Sequence, residues 1–127
     1  MNLPRFSSDR VFRIWDWSVS HCRLLIRSPR SEHNEQEQNI DLAFYGVFYM
    51  ELRESMNGLT IASPNAEDEA YLRTKTTPDA HSQYYVIESS GMKCFVGAVQ
   101  LEITENDLPI MQSSLWRPSA IAETKDS

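Results

Sequence analysis

Apolar and polar residues alternate along much of the chain. Between residues 40 and 52 the even positions are apolar or glycine, whereas the odd positions include Asp41 and Glu51. Successive side chains of an extended strand point to opposite faces of a sheet, so this period of two predicts a β-strand with one buried face. The same period predicts strands over residues 84–89 and 92–104.

Two dipeptides predict turns between such strands. Asn57-Gly58 tolerates the positive φ angles of a type I′ turn and therefore predicts a hairpin, and Ser90-Gly91 is expected to join the last two strands. The stretch 13–28 also has the pattern of a strand, bent near residues 18–21. In the last strand one face is expected to be formed by Phe95, Gly97, Val99, Leu101 and Ile103.

Two segments lack the strand pattern. Residues 28–39 contain no apolar side chain and are expected to form a loop. Residues 63–83 are expected to cross between strands with a short helix over about residues 66–74. Either Ser63 or Asn65 would cap this helix, because serine and asparagine accept hydrogen bonds from the first free N–H groups.

These elements define the fold prediction. We expect an all-β domain of six to eight mostly antiparallel strands, arranged as a sandwich or a partly open barrel with one short helix. The alternative is an α+β fold, in which residues 63–83 carry more helix. A chain of 127 residues is expected to form one domain, here residues 1–115, followed by a polar tail at 116–127.

Two parts of the chain share a pattern. Residues 44–54 and 95–105 both follow F-x-G-x-x-x-h-E-h-x-E, where h is apolar, and a histidine-led strand, starting at His21 or His81, precedes each copy. One interpretation is an internal duplication of a β unit. The other is that two amphipathic strands resemble each other by chance.

Charge is distributed unevenly along the chain. The net charge is −6, and residues 1–30 hold six arginines and two aspartates, whereas residues 31–70 hold nine acids and one arginine. Nucleic-acid binding depends on neutralising phosphates, so this acidic chain is not expected to bind nucleic acid. Its acidic middle would instead attract a basic protein.

The apolar segments and the cysteines indicate the cellular compartment of the protein. No apolar run approaches the roughly 20 residues of a membrane helix, and the N-terminus lacks an apolar signal-peptide core. Cys22 and Cys94 lie in apolar stretches and are expected to be buried, reduced thiols. We therefore expect a cytoplasmic protein without membrane contact.

No catalytic or metal-binding constellation is expected. Cys22 and His21 are neighbours, and neighbours on a strand point to opposite faces. The chain has no C-x-x-C, no H-x-x-x-H and none of the glycine-rich phosphate or nucleophile motifs, so we predict no metal and no cofactor. If the chain were an enzyme, Asp16, His21 or Glu102 would be the candidates.

Aromatic and arginine residues near the N-terminus allow two interpretations. Trp15 and Trp17 would share one face of a strand, either in the core or stacked on a ligand. Arg23, Leu25 and Arg27 would share an exposed or interfacial face of the next strand. The candidate ligand-binding residues are Trp15, Trp17, His21, Arg23, Arg27, Tyr84 and Tyr85.

The same stretch resembles the opening of small bacterial all-β proteins that have no established activity. The residues that carry the resemblance are Trp15, Trp17, Ser20, His21, Leu24, Leu25, Arg27 and Ser28. The resemblance covers about the first quarter of the chain and implies an all-β fold, without adding an activity.

Small size, acidity and the lack of a catalytic pattern favour a non-enzymatic protein-interaction module. This profile is similar to that of immunity and antitoxin proteins, which block basic clefts of bacterial toxins. A ligand-binding β-barrel with an aromatic pocket is the alternative, and an enzyme is the second. A homodimer formed through an edge strand is compatible with each. The candidate partner-binding residues are Glu32, Glu35, Glu37, Glu67, Asp68 and Glu69.

Overall fold

Eight strands of the computed structural model form one antiparallel sheet that does not close on itself. The structure describes residues 6–31 and 37–116. In chain order the elements are β1 (Phe6–Ser18), β2 (Arg23–Ser28), β3 (Asn39–Tyr45), β4 (Tyr49–Glu51), β5 (Ser55–Ala62), α1 (Ala66–Arg73), β6 (Gln83–Ser89), β7 (Met92–Ala98), β8 (Gln100–Asn106) and a 3₁₀ turn (Ser114–Trp116). This architecture confirms the all-β prediction, including the single short helix. The predicted tail boundary lies at the end of the described residues and stays a prediction.

Inward-facing residues of six strands form the main core. The strand order across the sheet is β4-β7-β6-β5-β1-β2-β3-β8. Alternate residues of these strands are buried together, and Phe12, Phe44 and Tyr85 are the aromatic members. The rings of Phe44 and Tyr85 meet edge-on with their centroids 5.4 Å apart, so opposite halves of the curled sheet are in contact.

Both halves of the sheet are also covered on their outer face. Helix α1 buries Leu72 against Val86 and Phe95 of β6 and β7. On the other half, residues 107–115, called here the C-terminal segment, bury Leu115 against Leu25 and Ala43 of β2 and β3. Central strands are therefore apolar on both faces.

The eight strands fall into two similar sets of four, β1–β4 and β5–β8. In each set the first three strands are neighbours in the sheet, and the fourth pairs with the third strand of the other set, β4 with β7 and β8 with β3. Each set contains one of the two copies of the shared sequence pattern. This exchange of fourth strands favours the duplication interpretation.

Gly46 and Gly97 lie where the segment that joins β3 to β4 crosses the segment that joins β7 to β8. A Cβ atom on Gly46 would lie 2.7 Å from the Val99 side chain, and one on Gly97 would lie 2.5 Å from the Phe48 ring. Phe48 N–H donates to the Gly97 carbonyl and Val99 N–H to the Tyr45 carbonyl, both at 2.9 Å. An isolated glycine inside a strand pattern predicts either a bulge or close packing, and the structure shows close packing at both glycines.

Two predicted strands are broken at this crossing. The stretch 40–52 is divided between β3 and β4, and 92–104 between β7 and β8. The predicted common face of residues 95–103 is wrong, because the chain changes its partner at Val99. Phe95 packs under α1, whereas Leu101 contacts the main core.

The predicted Asn-Gly hairpin is also wrong. Asn57 and Gly58 lie inside β5, where Gly58 has a φ of +77° opposite a register shift in β1 between Ser8 and Val11. Leu59 and Asn57, on either side of Gly58, both pair with β1, which has two residues opposite this one glycine, so the site is a β-bulge of β1 and not a turn. The predicted Ser90-Gly91 turn is confirmed, with φ values of 54° and 77°.

Candidate functional site

One edge of the sheet is acidic and has no strand partner among the described residues. Strand β8 pairs with β3 and ends the sheet order. Glu102 and Glu105 belong to β8, Asp107 follows it, and all three residues are exposed. No lysine or arginine stands between Lys93 and Arg117 in the sequence, and Arg30 reaches this edge from the β2–β3 loop, where it donates to the Asp107 carbonyl at 2.9 Å. We call Glu102, Glu105 and Asp107 the acidic edge.

The register of β8 distributes its carboxylates to both faces of the sheet. Glu102 lies opposite Ala43, which belongs to the outer face, and Glu105 lies opposite Ile40, which packs against the main core. The Tyr45 hydroxyl donates to Glu102 at 3.3 Å. A strand added to this edge would therefore meet a carboxylate on each face, and its main-chain groups could continue the ladder.

The other edge strand, β4, is short and tied to α1. The hydroxyl of Tyr71 donates to both carboxylate oxygens of Glu51, at 2.8 and 2.9 Å, and the Tyr49 hydroxyl donates to the same group at 2.7 Å. Burial, followed by the hydrogen bond to Glu51, raises the pKa of Tyr49 to about 12. The Glu51 carboxylate thus joins β4 to α1 through the hydroxyl of Tyr71.

Helix α1 presents two of its three predicted partner-binding acids. Glu67 and Glu69 are exposed, whereas Asp68 is buried. Asp68 accepts from the Asn65 N–H at 3.0 Å and from Lys93 Nζ at 2.8 Å, and this hydrogen bond raises the pKa of Lys93. Asp68 therefore caps the helix and joins it to β7. The predicted helix is confirmed, and of its two candidate caps, Ser63 and Asn65, it is Asn65 that caps it.

The remaining predicted acids belong to the polar loop. Glu32 and Glu35 lie outside the described residues. Glu37 is described and is half-buried. Partner binding by the six predicted acids stays a prediction.

A β-bulge separates the two tryptophans that were expected to share a face. The pairing of β1 with β2 shifts between Ile14 and Asp16, so Trp17 lies opposite Leu24 of the main core. Trp15 instead packs on the outer face with Leu25, and its Nε1 donates to the Ile110 carbonyl at 3.1 Å. An extra residue reverses the alternation of side chains, and sequence spacing does not reveal it.

Arg23, Leu25 and Arg27 were expected to form an exposed or interfacial face of β2, and the expected exposure is wrong for Leu25 and Arg27. Arg27 and Leu25 have no exposed area, because the C-terminal segment covers them. Arg27 forms two hydrogen bonds with Asp41, at 2.6 and 3.0 Å, and donates a third to the Ile110 carbonyl at 2.9 Å. Arg23 is half-buried, lies over the Tyr45 ring and donates to the Leu115 carbonyl.

The other predicted ligand-binding residues lie in three different places. His21 is in the exposed β1–β2 turn, where its Nδ1 is 2.9 Å from the Ser20 hydroxyl. Tyr85 is inside the main core, and Tyr84 is half-buried on the opposite face of β6. The structure brings together Trp15, Arg23 and Arg27 at the C-terminal segment. Ligand binding by this set stays a prediction.

The two cysteines differ in their exposure to solvent. Both are free, and Cys94 is buried as expected. Cys22 is exposed, contrary to expectation, because it ends the β1–β2 turn with a φ of 53° instead of lying in the strand.

Over the described ranges, no group of three His, Cys, Asp or Glu side chains could hold a metal ion. In the same part of the chain, no helix has the length and apolar character needed to cross a membrane.

The acidic edge could not be predicted from the sequence, because strand order decides which strand lies at an edge. Glu102 was a candidate for a different role, that of a catalytic residue.

Compared with models of protein families, with curated proteins and with solved structures, the chain matches none.

Proposed function

We propose that the chain is a non-enzymatic protein-interaction module that binds an extended, basic segment of a partner protein along β8. The observation that carries the proposal is the acidic edge, a strand edge without a partner in the described structure that places carboxylates on both faces. Added strands gain affinity from main-chain hydrogen bonds and specificity from side chains. Carboxylates on both faces would select lysine and arginine.

Charge argues for a different protein as partner over a second copy. Edge-to-edge pairing of two β8 strands would bring two acidic edges together, and like charges on adjacent strands destabilise pairing. A basic partner instead associates faster because of complementary charge, especially at low salt. An immunity- or antitoxin-like inhibitor of a basic protein in the cytoplasm is the specific role that we propose.

The experiment is affinity capture from the native lysate at low and high salt, with three forms of the protein. They are the wild type, the double variant Glu102→Lys/Glu105→Lys, and the charge-matched control Glu67→Lys/Glu69→Lys on α1. We expect a basic protein to be captured at low salt by the wild type and the control, and to be lost at high salt. The edge variant should not capture it, while its circular dichroism spectrum and melting temperature stay near wild type.

Capture that survives in the edge variant and is lost in the α1 variant would assign binding to the helix acids predicted from the sequence. Equal capture by all three forms, or none by the wild type at low salt, would contradict the proposed function.

A further inference from the structure

A cleft opens at the C-terminal end of α1, on the half of the sheet away from the acidic edge. Its volume is about 470 Å³, which lies within the range of roughly 300–1,000 Å³ typical of small-molecule sites. The lining residues are Glu69, Arg73, Thr76, Thr77, Pro78 and Tyr84.

The walls of the cleft are held in place by the surrounding structure. The Tyr84 hydroxyl donates to the Thr76 carbonyl at 3.3 Å, and the Phe48 ring packs on Tyr84 with centroids 5.7 Å apart. The Thr76 N–H donates to the Leu72 carbonyl at 3.0 Å, which fixes the chain as it leaves the helix. An aromatic wall and a defined backbone are therefore present before any ligand binds.

Two opposite charges stand on the rim of this cleft. Glu69 and Arg73 are exposed and one helical turn apart, a spacing that places their Cβ atoms about 5–6 Å from each other. Among the described residues, neither side chain makes a hydrogen bond or an ion pair, even with the other. The neighbouring Asp68, in contrast, is paired with Lys93.

We propose that the cleft binds a small zwitterion that carries an ammonium group and a carboxylate, of the α-amino acid class. Arg73 would hold the carboxylate, since guanidinium and carboxylate form two parallel hydrogen bonds. Glu69 would accept from the ammonium group. The apolar part of the ligand would lie against Tyr84 and Pro78.

The test is a titration of the full chain, labelled with ¹⁵N, followed by amide chemical shifts. The probes are L-leucine, acetate as the carboxylate alone and methylammonium as the cation alone. We expect saturable shifts with L-leucine, centred on residues 69–78 and Tyr84, and much weaker effects from the two single charges. Arg73→Gln and Glu69→Gln should each weaken binding about tenfold or more, as expected for a hydrogen bond to a charged group. Glu67→Gln, on the same helix but outside the cleft, should bind like the wild type.

No saturable shift with L-leucine would overturn the proposal, and so would equal affinity in Arg73→Gln, Glu69→Gln and wild type. Acetate that binds as tightly as L-leucine would also overturn it, because the cleft would then recognise only an anion. The spectra of the variants without ligand show whether each is folded. The cleft and the acidic edge share no residue, so this result leaves the proposed function unaffected.

Discussion

At the scale of single residues, the buried pair Arg27 and Asp41 has every charged group satisfied. The two lie opposite each other on β2 and β3 and have no exposed side-chain area. Asn106 donates to the second Asp41 oxygen at 2.8 Å. Burial of a charge is costly unless it is paired and hydrogen-bonded, so this network depends on each member.

Asp41→Asn is therefore expected to be strongly destabilising. It leaves the Arg27 guanidinium buried without its counter-charge, which costs about 3–5 kcal/mol of the free energy of unfolding. Urea unfolding followed by tryptophan fluorescence measures this loss. The double variant Arg27→Met/Asp41→Leu removes both charges and should be more stable than Asp41→Asn. A loss near zero for Asp41→Asn would show that the pair is not buried in solution.

The raised pKa of Tyr49 predicts that the folded protein loses stability at alkaline pH. Its pKa is raised from 10.0 to about 12 in the folded chain, so the neutral phenol is favoured by folding. The resulting stability is fully present below the unfolded pKa near pH 10 and is lost as the pH rises through the folded pKa near 12. Unfolding by urea between pH 8 and 12 should show a smaller decrease for Tyr49→Phe than for wild type. Identical pH profiles would contradict this role of Tyr49.

At the scale of secondary-structure elements, glycines permit the exchange of β4 and β8. Gly97→Ala would place a methyl group against the Phe48 ring, and overpacking of this kind costs about 1–3 kcal/mol. On a Phe48→Ala background, where the ring is absent, the same substitution should cost less. Thermal unfolding of the four proteins in this cycle gives the coupling between the two sites. Additive effects would contradict the close approach.

Local chemistry explains why the helix and one turn were predicted and the hairpin was not. Asn65 caps α1 through bonds within three residues, and Ser90-Gly91 joins strands that are neighbours in sequence. These features need only local contacts. Asn57-Gly58 has the same turn chemistry, but its flanking residues pair with distant β1, and this pairing converts the turn into a bulge.

At the scale of the whole molecule, the two sets of four strands complete each other. Strand β3 gains its outer neighbour from the second set, and β7 gains its outer neighbour from the first. The main core contains side chains from both sets. Neither set alone has a complete sheet or core.

Fragments 1–54 and 55–127 are accordingly expected to be unfolded separately and to recover native structure when mixed. Far-UV circular dichroism of each fragment and of the mixture tests this, and the intact chain is the reference. A cooperative unfolding transition in either fragment by itself would show that one set folds independently.

The all-β class, the helix and the last turn were predictable from the sequence, because the period of apolar residues and local hydrogen bonding govern these features. The partners of β4 and β8, the separation of Trp15 from Trp17 and the burial of Arg27 were not predictable from the sequence. These depend on contacts between residues far apart in the chain, and a single bulge or change of partner reverses which face is buried. The acidic edge and the α1 cleft have the same origin, because an edge or a cleft exists only once the strands have an order.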